Sequence, residues 1–119
     1  FFEALIAAHQ SDTMIYSISN SPRGFFARGG TGGGGGDPGT LRKFSDETGG
    51  ATFFVDRANS FKKIFDEIAQ ELRSQYSLGY ISTNQNKDGK FRQIKIVPRD
   101  SSYIVRARKG YYAPKDRDR

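Results

Sequence analysis

Near residue 74 the hydrophobic pattern of this chain changes period. Before that point Phe61, Ile64, Phe65, Ile68 and Leu72 recur at the spacing of one helical face. Lys62, Lys63, Asp66, Glu67, Gln70 and Glu71 cover the other face, and Asn59 or Ser60 is placed to cap the start. Beyond it Tyr76, Leu78 and Tyr80 alternate with Ser77, Gly79 and Ile81, the period of a half-buried strand. A chain of 119 residues has room for one domain. Helical and extended parts must therefore share a core, and the Phe61–Leu72 stripe is expected to anchor it.

Upstream, Phe2, Leu5, Ile6 and His9 mark the end of a helix. Thr13–Ser19 is a short apolar run that stops at Asn20-Ser21-Pro22. Such a run suits a parallel strand covered on both faces. Asp37 and Pro38 suit the cap and first position of a second helix, with Leu41, Phe44 and Thr48 on one face and Gly49 as its left-handed end. Ala51–Val55 is a second short apolar strand. Downstream, Asp88-Gly89 signals a turn, Phe91–Val97 reads as a strand closed by Pro98, and Tyr103, Val105 and Ala107 alternate in a last one.

The order predicts an α/β fold. Helical crossovers between the short strands imply a parallel pair with right-handed connections. This is half of an open doubly wound sheet, two parallel strands with their helices, followed by a three-stranded antiparallel extension. The divisions expected are 1–74 for the α/β part, with a glycine-rich loop at 20–39, then 75–114 for the β-meander and 115–119 for a charged tail. Within it, Arg28–Gly36 holds seven of the 14 glycines. So dense a glycine segment loses much backbone entropy on ordering, and it reads as a linker.

Several chemistries are excluded. There is no cysteine and one histidine, His9, so thiolate sites and multi-histidine metal sites are ruled out. The match Gly30, Gly32, Gly35 to a dinucleotide fingerprint is compositional, because no helix starts at Gly35. There is no Gly-Lys-Ser or Gly-Lys-Thr, no Gly-x-Ser-x-Gly elbow and no carboxylate pair placed by a motif. No catalytic residue and no metal ligand is assigned, and the chain is not expected to be an enzyme. No apolar run approaches the roughly 20 residues of a membrane span. A start at Phe1, inside a helix pattern and without Met, is expected of a piece of something longer.

Two sets of residues remain as candidates. Ser19, Asn20 and Asp56 lie at the carboxyl ends of the two strands, where open α/β sheets place ligands. Asp56 also fits a simple turn into the next helix. The second set follows from charge. From Gln85 onward there are 11 basic and 4 acidic residues, leaving 8 and 9 in the first 84 positions. Arg92, Lys95, Arg106, Arg108 and Lys109 could bind nucleic acid or another polyanion, or could simply discourage strand addition. Tyr103 should point away from Arg106 and Arg108, which weakens a base-stacking platform.

Leu41-Arg-Lys-Phe-Ser-Asp-Glu-Thr-Gly-Gly-Ala-Thr-Phe-Phe54 resembles the helix–Gly-Gly–strand unit of von Willebrand factor A domains. Glu71-Leu-Arg-Ser-Gln-Tyr-Ser-Leu-Gly-Tyr80 and Arg106-Ala-Arg-Lys-Gly-Tyr-Tyr-Ala-Pro114 resemble segments of bacterial A-domain-related proteins abundant in acidobacteria. The resemblance spans nearly the whole chain and implies the C-terminal half of an A-type domain with a family-specific β extension. It implies a binding module that engages a protein ligand, outside the cytoplasm, with Mg²⁺ held by the parent domain. The family's Asp-x-Ser-x-Ser metal motif does not occur here, and Asp100-Ser101-Ser102 is contiguous rather than spaced. No cofactor is therefore expected in this chain. The family's strand order also implies that Thr13–Ser19 borders a strand encoded upstream. Its open apolar edge would make the isolated chain marginally stable and self-associating.

Overall fold

The structure, a computed structural model, describes residues 1–20 and 38–116. Most of the glycine-rich loop, the Asp37 cap and the last three residues of the tail lie outside the described residues. The elements are α1 (Phe2–Gln10), β1 (Ser17–Ser19), α2 (Pro38–Thr48), β2 (Thr52–Phe54), α3 (Phe61–Arg73), β3 (Phe91–Gln93) and β4 (Gly110–Tyr112). β1 and β2 pair in parallel, Ser17 opposite Thr52 and Ser19 opposite Phe54. β3 and β4 form a separate antiparallel ribbon, Phe91 opposite Tyr112 and Gln93 opposite Gly110.

β1 is shorter than the apolar run that encodes it, and its packing is partly polar. Ser17 and Ser19 are buried. The Ser45 hydroxyl donates to the Ser17 hydroxyl at 2.9 Å in the buried layer between α2 and β1. Thr48 Oγ1 accepts the Ile15 N–H at 3.0 Å and donates to the Phe44 carbonyl at 2.8 Å. These small side chains let the helix approach the strand closely while satisfying groups that would otherwise be buried unpaired.

The turn from α2 into β2 needs both of its glycines. Gly49 has φ +85°, the left-handed region that ends helices. A Cβ there would also lie 2.6 Å from the Arg108 nitrogen. A Cβ on Gly50 would collide with the Ile15 carbonyl.

α3 forms as its pattern predicts. The Ser60 side chain accepts the Lys63 N–H, and Lys62 pairs with Asp66 one turn on at 2.7 Å. Its expected role in the core needs correction. Only Ile64 is buried, at 2% exposure, whereas Phe61, Phe65 and Leu72 are 47%, 58% and 50% exposed. A helix forms on local spacing and capping, but burial of its stripe requires matching surface, and the described residues supply little.

The extension also differs from its pattern. The described residues form two antiparallel strands rather than three. Residues 75–81 form no strand, and the last strand is Gly110–Tyr112 rather than 103–108. The ribbon is fixed where Phe91 and Tyr112 can stack, and an aromatic seam decides the site of pairing more strongly than alternation does. Lys115 and Asp116 continue the pairing, opposite Asp88 and Lys87.

Candidate binding faces

The parallel pairing gives the sheet two unlike ends. At the amino end lie residues 11–16 and the Gly49-Gly50 turn, and the ribbon docks there. His9, near the end of α1, is 5% exposed. Its ring meets Phe91 edge-on at 5.4 Å and Tyr112 at 6.4 Å, and those two rings are 5.3 Å apart. The His9 ring thus packs between α1 and the ribbon. Its Nδ1 has no hydrogen-bond partner among the described residues. Beside it opens a cleft of about 430 Å³ whose lining includes Asp12, Arg108, Tyr111 and Lys115.

Around that seam the basic arm meets carboxylates. Arg108 pairs with Asp12, which holds φ +53° just past α1. Arg106 pairs with Glu71 near the end of α3. Lys109 Nζ lies 3.5 Å from Glu47, and the Lys109 N–H donates to the Glu47 carbonyl at 3.1 Å. Arg92 is held by Asp88 at 2.8 Å. The Lys90 N–H, and then Arg92, keep the Asp88 carboxyl below its ordinary range. Of the five cations in the polyanion set, Lys95 alone makes no ion pair with a described residue. The sequence signal for this arrangement was the charge asymmetry itself, whose nearest opposite charges are internal.

At the carboxyl end the structure brings Ser19, Asn20 and Asp56 together. Ser19 faces Phe54 across the pair, and its carbonyl accepts the Val55 N–H at 2.9 Å. Asp56 follows directly. Its Oδ1 accepts the N–H groups of Ala58 and Asn59 at 2.9 and 2.8 Å, so it turns the chain toward α3. Asn20 is exposed and Ser19 is buried.

The Mg²⁺ implied by the A-domain resemblance does not fit this donor set. Among the described residues no three His, Cys, Asp or Glu side chains converge to hold a metal ion. A hard cation needs several converging oxygens, and the Asp56 oxygen described above is already committed to two backbone donors. No helix among the described residues is long and apolar enough to cross a membrane. No protein-family model matches the chain, and no curated protein or solved structure matches it either.

Proposed function

We propose that the chain is part of a von Willebrand factor A-like binding module that engages a protein ligand from the carboxyl end of its parallel sheet. The observation that carries this reading is the position of the ribbon. It packs on His9, Asp12, Glu47 and Gly49, all at the amino end. The end where open α/β sheets bind ligands is thus left uncovered by the extension. The β1–α2–β2 crossover and the Gly49-Gly50 turn support the A-type reading. The full doubly wound sheet and an extracytoplasmic location belong to the same proposal. No metal ligand is assigned to this chain.

A polyanion-binding ribbon draws less support, because carboxylates of the same chain occupy Arg92, Arg106, Arg108 and Lys109. Peptides selected from a random display library on the 119-residue chain, followed by amide exchange, test the proposal. Ligands should protect residues around Asn20 and Asp56 and bind with little salt dependence. Ligands that map only to 106–109, or a steep salt slope with duplex DNA, would overturn it.

A further inference from the structure

Residues 88–115 lie on one hairpin register that the strand assignments alone do not display. Asp88 is opposite Lys115, Arg92 is opposite Tyr111, and the Ile94 N–H donates to the Lys109 carbonyl at 2.7 Å. At the far end the Tyr103 N–H donates to the Asp100 carbonyl at 3.2 Å. That bond closes a turn at Ser101-Ser102, and the two residue numbers in each of these pairs have the same sum. Base and tip are therefore in register, with equal lengths of chain between them. In an antiparallel ladder, hydrogen-bonded pairs recur at every second residue. The missing rungs are then Ile96 with Ala107 and Pro98 with Val105. No described backbone hydrogen bond joins the arms there.

The ladder stops at an identifiable place. At the Ile94–Lys109 pair one of the two bonds is made, but the Lys109 N–H goes to Glu47 instead of to Ile94. From that point the arm lies against Gly49, with Arg106 on Glu71 and Arg108 on Asp12. Phe91, Lys95, Val97, Arg106, Arg108 and Tyr112 share one face of this register; on it Phe91 and Tyr112 meet His9, Arg106 meets Glu71 and Arg108 meets Asp12, while Val97 is exposed. The open rungs are thus the result of a competition between backbone pairing within the hairpin and contacts with the body, namely the Glu47 main-chain carbonyl and the carboxylates of Asp12, Glu47 and Glu71.

We propose that the hairpin is a two-state latch. In the state described, arm 104–109 is held by Asp12, Glu47 and Glu71. When those charges are screened or removed, the side-chain ion pairs that press the arm onto the body are lost, the Lys109 N–H leaves the Glu47 main-chain carbonyl for that of Ile94, and the rungs Ile96–Ala107 and Val105–Pro98 close. Closing draws the arm off the Gly49-Gly50 turn and uncovers the acidic edge beneath it. The contacts that hold the arm are exposed ion pairs, the kind that salt weakens. A two-stranded ribbon alone in water is marginal, so modest changes in charge suffice to move the balance.

Residue-resolved amide exchange on the 119-residue chain, at about 50 mM and about 1 M NaCl, tests the latch. At low salt the Ile96 and Ala107 amides should exchange freely. At high salt their protection should rise on the order of tenfold, while the Ser17 and Val55 amides stay protected. Glu47→Gln with Glu71→Gln should produce the same gain at low salt. Ile96→Pro removes an N–H that only the closed hairpin uses, and it should abolish the gain while leaving the low-salt pattern intact. The wild-type salt series needs no variant to fold. Unprotected Ile96 and Ala107 amides at high salt, or equal protection at both salts, would overturn the proposal.

Discussion

Ile64 and Phe65 are neighbours on α3 and belong to the same apolar stripe, yet their truncation should have very different costs. Ile64 is 2% exposed. Replacing a fully buried Ile by Ala typically costs about 2–5 kcal/mol, from lost transfer energy and the cavity left behind. Phe65 is 58% exposed, so it retains less than half of its burial. Full burial of a Phe side chain is worth about 1.5–3 kcal/mol, which leaves about 1 kcal/mol at stake. Alanine returns up to about 0.5 kcal/mol of helix propensity. Phe65→Ala should therefore cost under about 1 kcal/mol, and Ile64→Ala at least twice that. Urea unfolding monitored by far-UV circular dichroism measures both, with the midpoint shift interpreted only if the slope is unchanged. Equal losses in the two variants, or a larger one for Phe65→Ala, would mean that the stripe is packed on both residues and that the exposure described here is wrong.

Gly50→Ala should destabilise by more than about 2 kcal/mol, since its Cβ would meet the Ile15 carbonyl, a backbone atom that cannot rotate away; a melting temperature within a degree of wild type would refute the close approach. Ser45→Ala removes a buried hydroxyl that donates to Ser17, and a loss of about 1–3 kcal/mol is expected in the same unfolding assay. Asp88 has a depressed carboxyl, chiefly through the Lys90 N–H and then Arg92. Its stabilising contribution is fully present above the ordinary value of 3.8 and is lost as pH falls through the lower folded value. Amide protection at Lys90 should therefore persist to below pH 3.8 in the wild type and be absent at all pH values in Asp88→Ala.

The sequence made the elements of the first 74 residues legible because they depend on local chemistry. Pro38 opens α2, Gly49 ends it, Ser60 caps α3, and the parallel pairing follows from helices between short runs. Burial was less legible, since it depends on what lies opposite. Phe65 and Ser45 show the two directions of error: a large apolar side chain left exposed, and a small polar one buried completely because it bonds across to Ser17. In the extension, alternation over 103–108 was real, yet Arg106, Arg108 and the adjacent Lys109 are drawn onto Glu71, Asp12 and Glu47. No local pattern encodes partners so distant in sequence. At the carboxyl end, adjacency of Ser19, Asn20 and Asp56 was legible from topology, whereas the amino-end cleft was not, because it needs His9 and the distant residues Arg108 and Tyr112.

The two kinds of contact that join the ribbon to the body differ in how they respond to solvent, and this orders the hairpin from base to tip. At the base, His9, Phe91 and Tyr112 meet edge to face, and such contacts are insensitive to salt. Toward the tip the arm is joined to the body by Arg106, Arg108 and Lys109, each on a partly exposed carboxylate worth at most about 1 kcal/mol. Local opening should then begin at the turn after Pro98 and stop at the aromatic seam, because each step toward the base exchanges a screened pair for a desolvated ring. The same gradient explains how a chain with a net charge of +6 keeps its basic third folded onto the rest. Apolar contact fixes the position of the ribbon, and the carboxylates decide only how far along its length the arm stays down.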